Sequence, residues 1–309
     1  MRNSVNALVA NNHYLQIYSN LITSGLFKAD TIKKVLVFST FFYALIFSQD
    51  LLFAGQAACP PQHINESARV NHVYDGDTVR LEDGRKVRLI GIDTPEVFSK
   101  KRAIASDIKD SGERAKAALQ KQLKLTNNRV SLSYGKQRFD RYGRTLAHVF
   151  LSNGRNLQAW LISKGYAIAF TIPPNDKMSH CYIKQELLAQ QSQSGIWQMT
   201  QYQVKRSYQL SGDVQGLHRL QGKVSRVLER KNRLSLILDE KVELNIYKED
   251  LYLFNKYQLS QLQNKAIRVR GWVKRINRKS GSRKSEKNPI KYRMTLRHPD
   301  SLNVDKVIH

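Results

Sequence analysis

The dipeptide Asp83-Gly84, set between the alternating segments 78–81 and 86–89, constrains this chain more than any other feature. A two-residue type I′ turn needs positive φ at both central residues, which Asp-Gly tolerates. Counted outward from such a turn, Glu82 faces Arg85, Val79 opposes Arg88 and Asp77 opposes Ile90. Asp77 and Arg88 then become diagonal neighbours on one face, about 7–8 Å apart at the backbone. A carboxylate and a guanidinium at that spacing suit a divalent metal and a phosphate held side by side. Upstream, Gly76 is expected to supply the positive φ of another tight turn, with Asp75 in a supporting or turn-forming role. Downstream, Pro95 forces its predecessor into an extended conformation, and Asp93 and Glu96 add two carboxylates at the strand end.

Three separated motifs occur in order: Asp75-Gly-Asp-Thr-Val79, Arg88-Leu-Ile-Gly-Ile-Asp-Thr-Pro-Glu96 and Asp140-Arg-Tyr-Gly-Arg144. Together they resemble the staphylococcal-nuclease (thermonuclease) family, over the stretch from Ala68 to Trp197. Phosphodiester hydrolysis needs a cationic clamp on the phosphate, a group that orients or deprotonates water, and stabilisation of developing charge. The resemblance implies Asp77 and Asp93 as Ca²⁺ ligands, with the Thr94 backbone carbonyl as a third. Hard oxygen ligands suit Ca²⁺, and a His/Cys cluster of the kind zinc takes is lacking. By the same resemblance Glu96 activates the water, while Arg88 and Arg144 grip phosphate oxygens with planar, always-charged guanidinium groups. Arg141 stands where the family has a lysine. Tyr142 matches a family tyrosine near the terminal phosphate, with plain packing as the alternative. The family's base-bracketing tyrosines are replaced by Thr171 and Pro173, which leaves Phe170 or Tyr166 to stack on the base. The implied activity is cleavage of DNA and RNA with little sequence preference, leaving 3′-phosphates. The alternative is a non-catalytic nucleic-acid-binding scaffold of the same fold. A small-anion or lipid-surface binder is a third reading, but it needs no carboxylate cluster.

The 309 residues carry 51 Lys and Arg against 25 Asp and Glu, a formal net charge of +26. Such an excess makes a polyanion the default partner, with nucleic acid ahead of an anionic membrane. Residues 1–58 read as a signal or targeting segment. Lys33-Lys34 precedes a short apolar run from Val35 to Ser48, and the small residues Ala54, Gly55, Ala57 and Ala58 follow, as before a signal-peptidase cut. The run is shorter than the roughly 20 residues that span a bilayer, so a periplasmic or secreted protein is expected, with an uncleaved anchor as the alternative. The long leader before Lys33 suggests a downstream start. Cys59 after Ala57-Ala58 faintly resembles a lipidation site, though Gln56 suits it poorly. The leader holds four basic and two acidic residues, so the positive excess belongs to the rest of the chain. In an oxidising compartment the two cysteines, Cys59 and Cys181, are most simply a disulfide. It closes a long loop and contributes about 4–5 kcal/mol in the chain-entropy model.

The expected class is mainly β with helices (α+β): a five-stranded OB-like barrel with three helices over 59–198, a polar linker over 199–216, and a second small OB-like barrel over 217–309. In the first barrel Val79, Leu81, Val87, Leu89 and Ile92 supply the wall. Residues 97–110 read as a basic loop. Ala115, Ala118, Leu119, Gln122 and Leu123 fall at helical spacing, and Val130, Leu132 and Tyr134 alternate as a strand. A strand over 144–151 ends at the hairpin signal Asn153-Gly154, and a short helix marked by Leu157, Trp160 and Leu161 stops at Gly165. A last helix over 180–194 is expected to turn Ile183, Leu187 and Gln190 to one side. In the second barrel 222–228, 234–238, 242–246, 267–273 and 292–296 read as strands, with 251–262 helical or irregular and 278–291 a basic loop. Trp272 and Tyr292 sit among Lys265, Arg268, Arg270, Lys274, Arg275 and Arg293, a mix that suits a strand-binding groove, with a core position as the alternative for Trp272. No stable protein partner is implied, and a monomer is expected.

Overall fold

A computed structural model describes residues 58–98, 104–214, 216–276 and 290–304. Residues 1–57 of the expected leader, the Lys100-Lys101-Arg102 stretch and most of the 278–291 loop lie outside the described residues. Among the described residues no helix is long and apolar enough to cross a membrane.

Alternating burial makes the first barrel. Its elements run β1 (Glu66–Val73), β2 (Thr78–Leu81), β3 (Lys86–Leu89), β4 (Ile92–Asp93), α1 (Ser106–Lys124), β5 (Arg129–Phe139), β6 (Thr145–Leu151), α2 (Leu157–Ser163), β7 (Ile168–Ala169) and α3 (Ser179–Gln191). Five strands close in the order β1-β2-β3-β6-β5, with β3 and β6 parallel. That Greek-key closure is the OB arrangement and leaves the ring without a free edge. Val79, Leu81, Val87, Leu89 and Ile92 are all buried, as are Leu119 and Leu123 of α1. Helix α1 therefore plugs the barrel with the stripe its spacing predicts.

The β2–β3 turn departs from expectation by one residue. Val79 pairs with Val87 and Thr78 with Arg88, and Leu89 N donates to Asp77 O at 2.8 Å. Leu81 N donates to Arg85 O and Gly84 N to Leu81 O, so Glu82, Asp83 and Gly84 form a three-residue loop. Only Gly84 takes positive φ, at 89°, the pattern of a hairpin closed by a glycine bulge. The reason is the core. Directly opposed residues point to the same face, and the expected register would have set inward Val79 against outward Arg88. Gly76 also differs: it has no positive φ. A Cβ there would sit 2.8 Å from both Ala115 Cβ and Thr94 Cγ2, so the glycine serves the close approach of the Asp75–Asp77 turn to α1 and to Thr94.

Two further differences concern α1 and α3. Helix α1 begins at Ser106, inside the segment read as loop. On α3 the buried residues are Tyr182, Glu186 and Ala189, whereas Leu187 is half exposed. The expected face held Ile183, Leu187 and Gln190, but the helix packs on both barrels and buries a charged residue with a partner. Cys181 of α3 is bonded to Cys59, with Cα atoms 5.7 Å apart, which ties the segment before β1 to this helix. Asn156 caps α2 by accepting from Ala159 N at 3.0 Å, and its Nδ2 donates to Cys59 O at 3.0 Å.

The segment read as a linker is folded. It forms β8 (Val204–Arg206) between short 3₁₀ turns, and β8 pairs in parallel with the next strand. Tyr202, Ser207 and Leu210 are buried. The second barrel follows: β9 (Gly216–Arg230), β10 (Arg233–Leu238), β11 (Val242–Tyr247), α4 (Lys248–Leu251), α5 (Lys256–Ser260), β12 (Ala266–Arg275), β13 (Tyr292–Thr295) and β14 (Leu302–Val304). The ring β9-β10-β11-β13-β12 closes on β9, and β11 and β13 are parallel. The strand order is that of the first barrel, with short helices in the place of α1. Tyr292 is a core residue at 2 % exposure, its hydroxyl donating to Gly212 O, so it offers no stacking face. A third apolar cluster of Ile168, Ala189, Ile196, Trp197, Tyr202 and Leu217 joins the two barrels, with Trp272 packed against it. Arg219 lies over the Trp197 ring at 5.2 Å.

Candidate active site

The site grows out of the two ends of the β2–β3 hairpin. Asp75 Oδ1 accepts from Asp77 N at 3.0 Å, a local turn that points the Asp77 carboxylate under the barrel rim. There its Oδ2 accepts from Thr94 N at 3.2 Å and Thr94 Oγ1 at 3.0 Å, while Oδ1 accepts from Thr78 Oγ1 at 3.1 Å. Arg88 reaches Asp77 Oδ2 with Nη1 at 2.7 Å and Asp93 Oδ1 with Nη2 at 3.5 Å. The same guanidinium donates to the carbonyls of Leu89 and Ile92. One arginine thus spans two carboxylates, in agreement with the proximity expected of Asp77 and Arg88, although the register that delivers it is different.

Asp93 is positioned by a small second sheet: β4 pairs with β7 through Ile92↔Ala169 and Asp93↔Ile168. Glu96 is exposed. Behind it, Gly112 of α1 sits so close that a Cβ would lie 2.6 Å from Pro95 O, which seats the Asp93–Glu96 segment on the helix. Arg144 comes from the β5–β6 turn. Asp140 organises that turn, accepting from Tyr142 N, Arg144 N and Arg144 Nε at 2.9, 3.0 and 2.8 Å. Arg144 Nη1 donates to Thr78 Oγ1 at 3.4 Å, so Thr78 links the second arginine to Asp77. Tyr142 is exposed, with Arg141 and Arg144 guanidinium groups 4.8 and 5.7 Å from its ring; it is not a packing residue.

A cavity of about 740 Å³ is lined by Arg88, Asp93, Glu96, Arg141, Tyr142, Arg144 and Phe170 together. Asp77 and Thr94 are buried; Asp77 lies behind Arg88, and Thr94 lines an adjoining cavity of about 370 Å³. Phe170 follows β7 directly and donates its backbone N–H to Gly91 O. Tyr166 instead packs against Trp160 and does not line the cavity. Thr171 and Pro173 are buried.

The electrostatics are those of crowded acids. Burial pushes Asp77 up to about 6 despite Arg88, with Asp75 adding to the rise. Burial likewise pushes Asp93 up to about 7, opposed by Arg88 and reinforced by Asp77, Glu96 and Asp75. Asp77 and Asp93 share Arg88, and Arg144 is committed to Asp140. Among the described residues no three His, Cys, Asp or Glu side chains converge as a ready metal-binding group. The expected set holds only two such side chains, Asp77 and Asp93, plus one backbone carbonyl. An all-oxygen donor set in which two acids share one arginine fits a hard divalent cation.

The hydroxyl of Thr78 and the carboxylate of Asp140 are the members of this constellation that sequence reasoning missed. Both lie inside quoted motifs, and an Asp four residues before an Arg across a tight turn is a readable signal for the second. Nothing local marks Glu186. It is buried on α3, accepts from Ala169 N at 2.9 Å and pairs with Arg270 of the second barrel.

The family model described as staphylococcal nuclease homologue matches residues 86–199. The thermonuclease of Staphylococcus intermedius is 38% identical over 136 residues, covering 43% of this chain and 77% of that protein. The thermonuclease of Staphylococcus hyicus is 34% identical over 135 residues, covering 43% and 76%. Endonuclease YncB of Bacillus subtilis is 28% identical over 162 residues, covering 50% and 74%. With the carboxylates and arginines of the three motifs gathered at one barrel rim, this chain belongs to the staphylococcal nuclease homologue family.

Proposed function

We propose that the protein is an exported, calcium-dependent nuclease that hydrolyses phosphodiester bonds of DNA and RNA with little sequence preference and leaves 3′-phosphates. One observation carries the reading: Arg88, Asp93, Glu96 and Arg144 line a single cavity. In it Glu96, the exposed carboxylate, orients and deprotonates the attacking water. Arg88 and Arg144 hold the phosphate oxygens and stabilise the charge that builds on them, a role worth about 10²–10³ in rate per donor. Asp140 and Thr78 keep Arg144 in place, and Phe170 offers an apolar wall to a base. Asp77 and Asp93, with the Thr94 carbonyl, would hold Ca²⁺, which would supply positive charge to the phosphate. The +26 excess draws the polyanion in. Export is supported by the leader pattern and by the disulfide.

The test is digestion of DNA and of RNA in calcium and in chelator, by wild type and Glu96→Ala, with the product ends identified. Cleavage only by wild type with calcium, leaving 3′-phosphates, is the expected result. Equal products in all arms overturn the mechanism, and tight binding without cleavage in every arm establishes the scaffold instead.

A further inference from the structure

We propose that the second barrel completes the substrate groove. Trp272 is the platform on which an unpaired base beside the scissile phosphate stacks, and Lys274 pairs with the neighbouring phosphate of the same single strand. The inference rests on the nuclease reading of the cavity and adds to it a specificity surface from a different domain.

Strand β12 alternates. Ile267, Val269, Gly271 and Val273 are buried in the second barrel, so Arg268, Arg270, Trp272 and Lys274 fall on its other face. That face is held in register against the first barrel by Arg270, which pairs with buried Glu186. The other Glu186 oxygen accepts from Ala169 N, and Ala169 lies in β7, the strand paired to Asp93 through Ile168. A continuous set of contacts therefore runs from the candidate metal ligand to β12. Two and four residues beyond Arg270 come Trp272 and Lys274, about 7 and 13 Å along the strand.

Both reach the cavity. Trp272 and Lys274 line the same 740 Å³ space as Arg88, Glu96 and Arg144. Trp272 also lines the adjoining 370 Å³ cavity, which again contains Asp93 and Glu96. It thus stands between two spaces that share the chemical centre. Trp197 is 2 % exposed; Trp272 packs against the same seam but is only partly buried. Lys274 is exposed, and among the described residues no carboxylate pairs with it. An aromatic face beside a cation is what single-stranded nucleic acid requires, since stacking tolerates any base and the cation follows the backbone. A paired base has no free face for Trp272, so the groove favours single strands over duplex.

The experiment uses the full chain and compares wild type, Trp272→Ala, Trp272→Phe and Lys274→Gln. Steady-state cleavage of a fluorescent single-stranded oligothymidylate, a dinucleotide and a duplex is measured with melting temperature as the fold control. Trp272→Ala is expected to raise KM for the oligonucleotide about tenfold with little change in kcat, and Trp272→Phe to recover most of the loss. The effect on the dinucleotide is smaller. Lys274→Gln lowers the slope of log affinity against log salt by about 0.7. An unchanged KM in a Trp272→Ala protein that melts like wild type overturns the inference and leaves the nuclease reading standing. If Trp272→Ala does not fold, the Lys274→Gln salt slope decides, and an unchanged slope overturns it. If wild type cleaves nothing, the nuclease reading fails separately. Quenching of Trp fluorescence by oligothymidylate then decides the groove: its loss in Trp272→Phe supports the platform, and its persistence refutes it.

Discussion

In both barrels the third strand runs parallel to the fifth and the first closes against the fourth, yet their outward charges are arranged in opposite ways. On the third strand of the first barrel, Arg88 stands between Asp77 and Asp93. On the third strand of the second, buried Glu243 is surrounded by Arg293, Arg233 and Arg230 at 3.0, 3.6 and 3.9 Å. At this rim of the first barrel two carboxylates share one arginine, and burial raises the proton affinity of both, which suits a cation. The second leaves arginines in excess, which suits a polyanion. Function follows the side chains at the rim; the fold alone decides neither outcome.

Four experiments sharpen or break that contrast. The disulfide belongs only to the first barrel. Cys59→Ser with Cys181→Ser is expected to cost about 4–5 kcal/mol in denaturant unfolding, and a cost shared equally by the second barrel would show that the two unfold as one unit. Arg88→Ala is expected to lower kcat/KM about 10²–10³-fold, while Arg293→Ala, which removes an equally charged residue from the second barrel, changes cleavage by less than tenfold. Equal losses would erase the distinction. Gly76→Ala forces a methyl against Ala115 and Thr94 and is expected to destabilise by about 1–3 kcal/mol, seen as a lower melting temperature with weaker calcium binding.

The fourth concerns pH. Burial pushes His148 down to about 4 from 6.5, with Lys177 adding to the fall, and its Nδ1 lies 2.7 Å from Tyr182 Oη. The folded protein therefore keeps this histidine neutral where the unfolded chain protonates it. Its contribution is fully present above about pH 6.5 and is lost as the pH falls toward 4. His148→Gln should flatten that part of the stability profile, and an unaltered acid limb would locate the effect elsewhere.

Much of the site is legible in the chain because its motifs are local. Asp77, Arg88, Asp93 and Glu96 fall within twenty residues, and Arg144 sits in the five-residue motif 140–144, although the anchoring role of Asp140 there was missed. The apolar wall was readable for the same reason, since Val79, Leu81, Val87 and Leu89 alternate. The hairpin register was not, because a two- and a three-residue loop share the Asp-Gly signal and only the pairing of Val79 with Val87 inside the barrel separates them. The basic tail misled in another way. Arg270 and Arg293 belong to the basic set that suits a strand-binding groove, yet Glu186 and Glu243 meet them from far along the chain.

By itself the sequence determined the reaction chemistry that can be proposed, the wall of the first barrel and the pairing of its only two cysteines. These depend on residue type and near spacing. Tertiary structure alone decided which acids neutralise which arginines, that residues 204–206 of the polar segment form a strand, and that Trp272 and Glu96 line one cavity. The last of these rests on the buried Glu186–Arg270 pair, which joins residues 84 positions apart, and local propensity carries no information at that range.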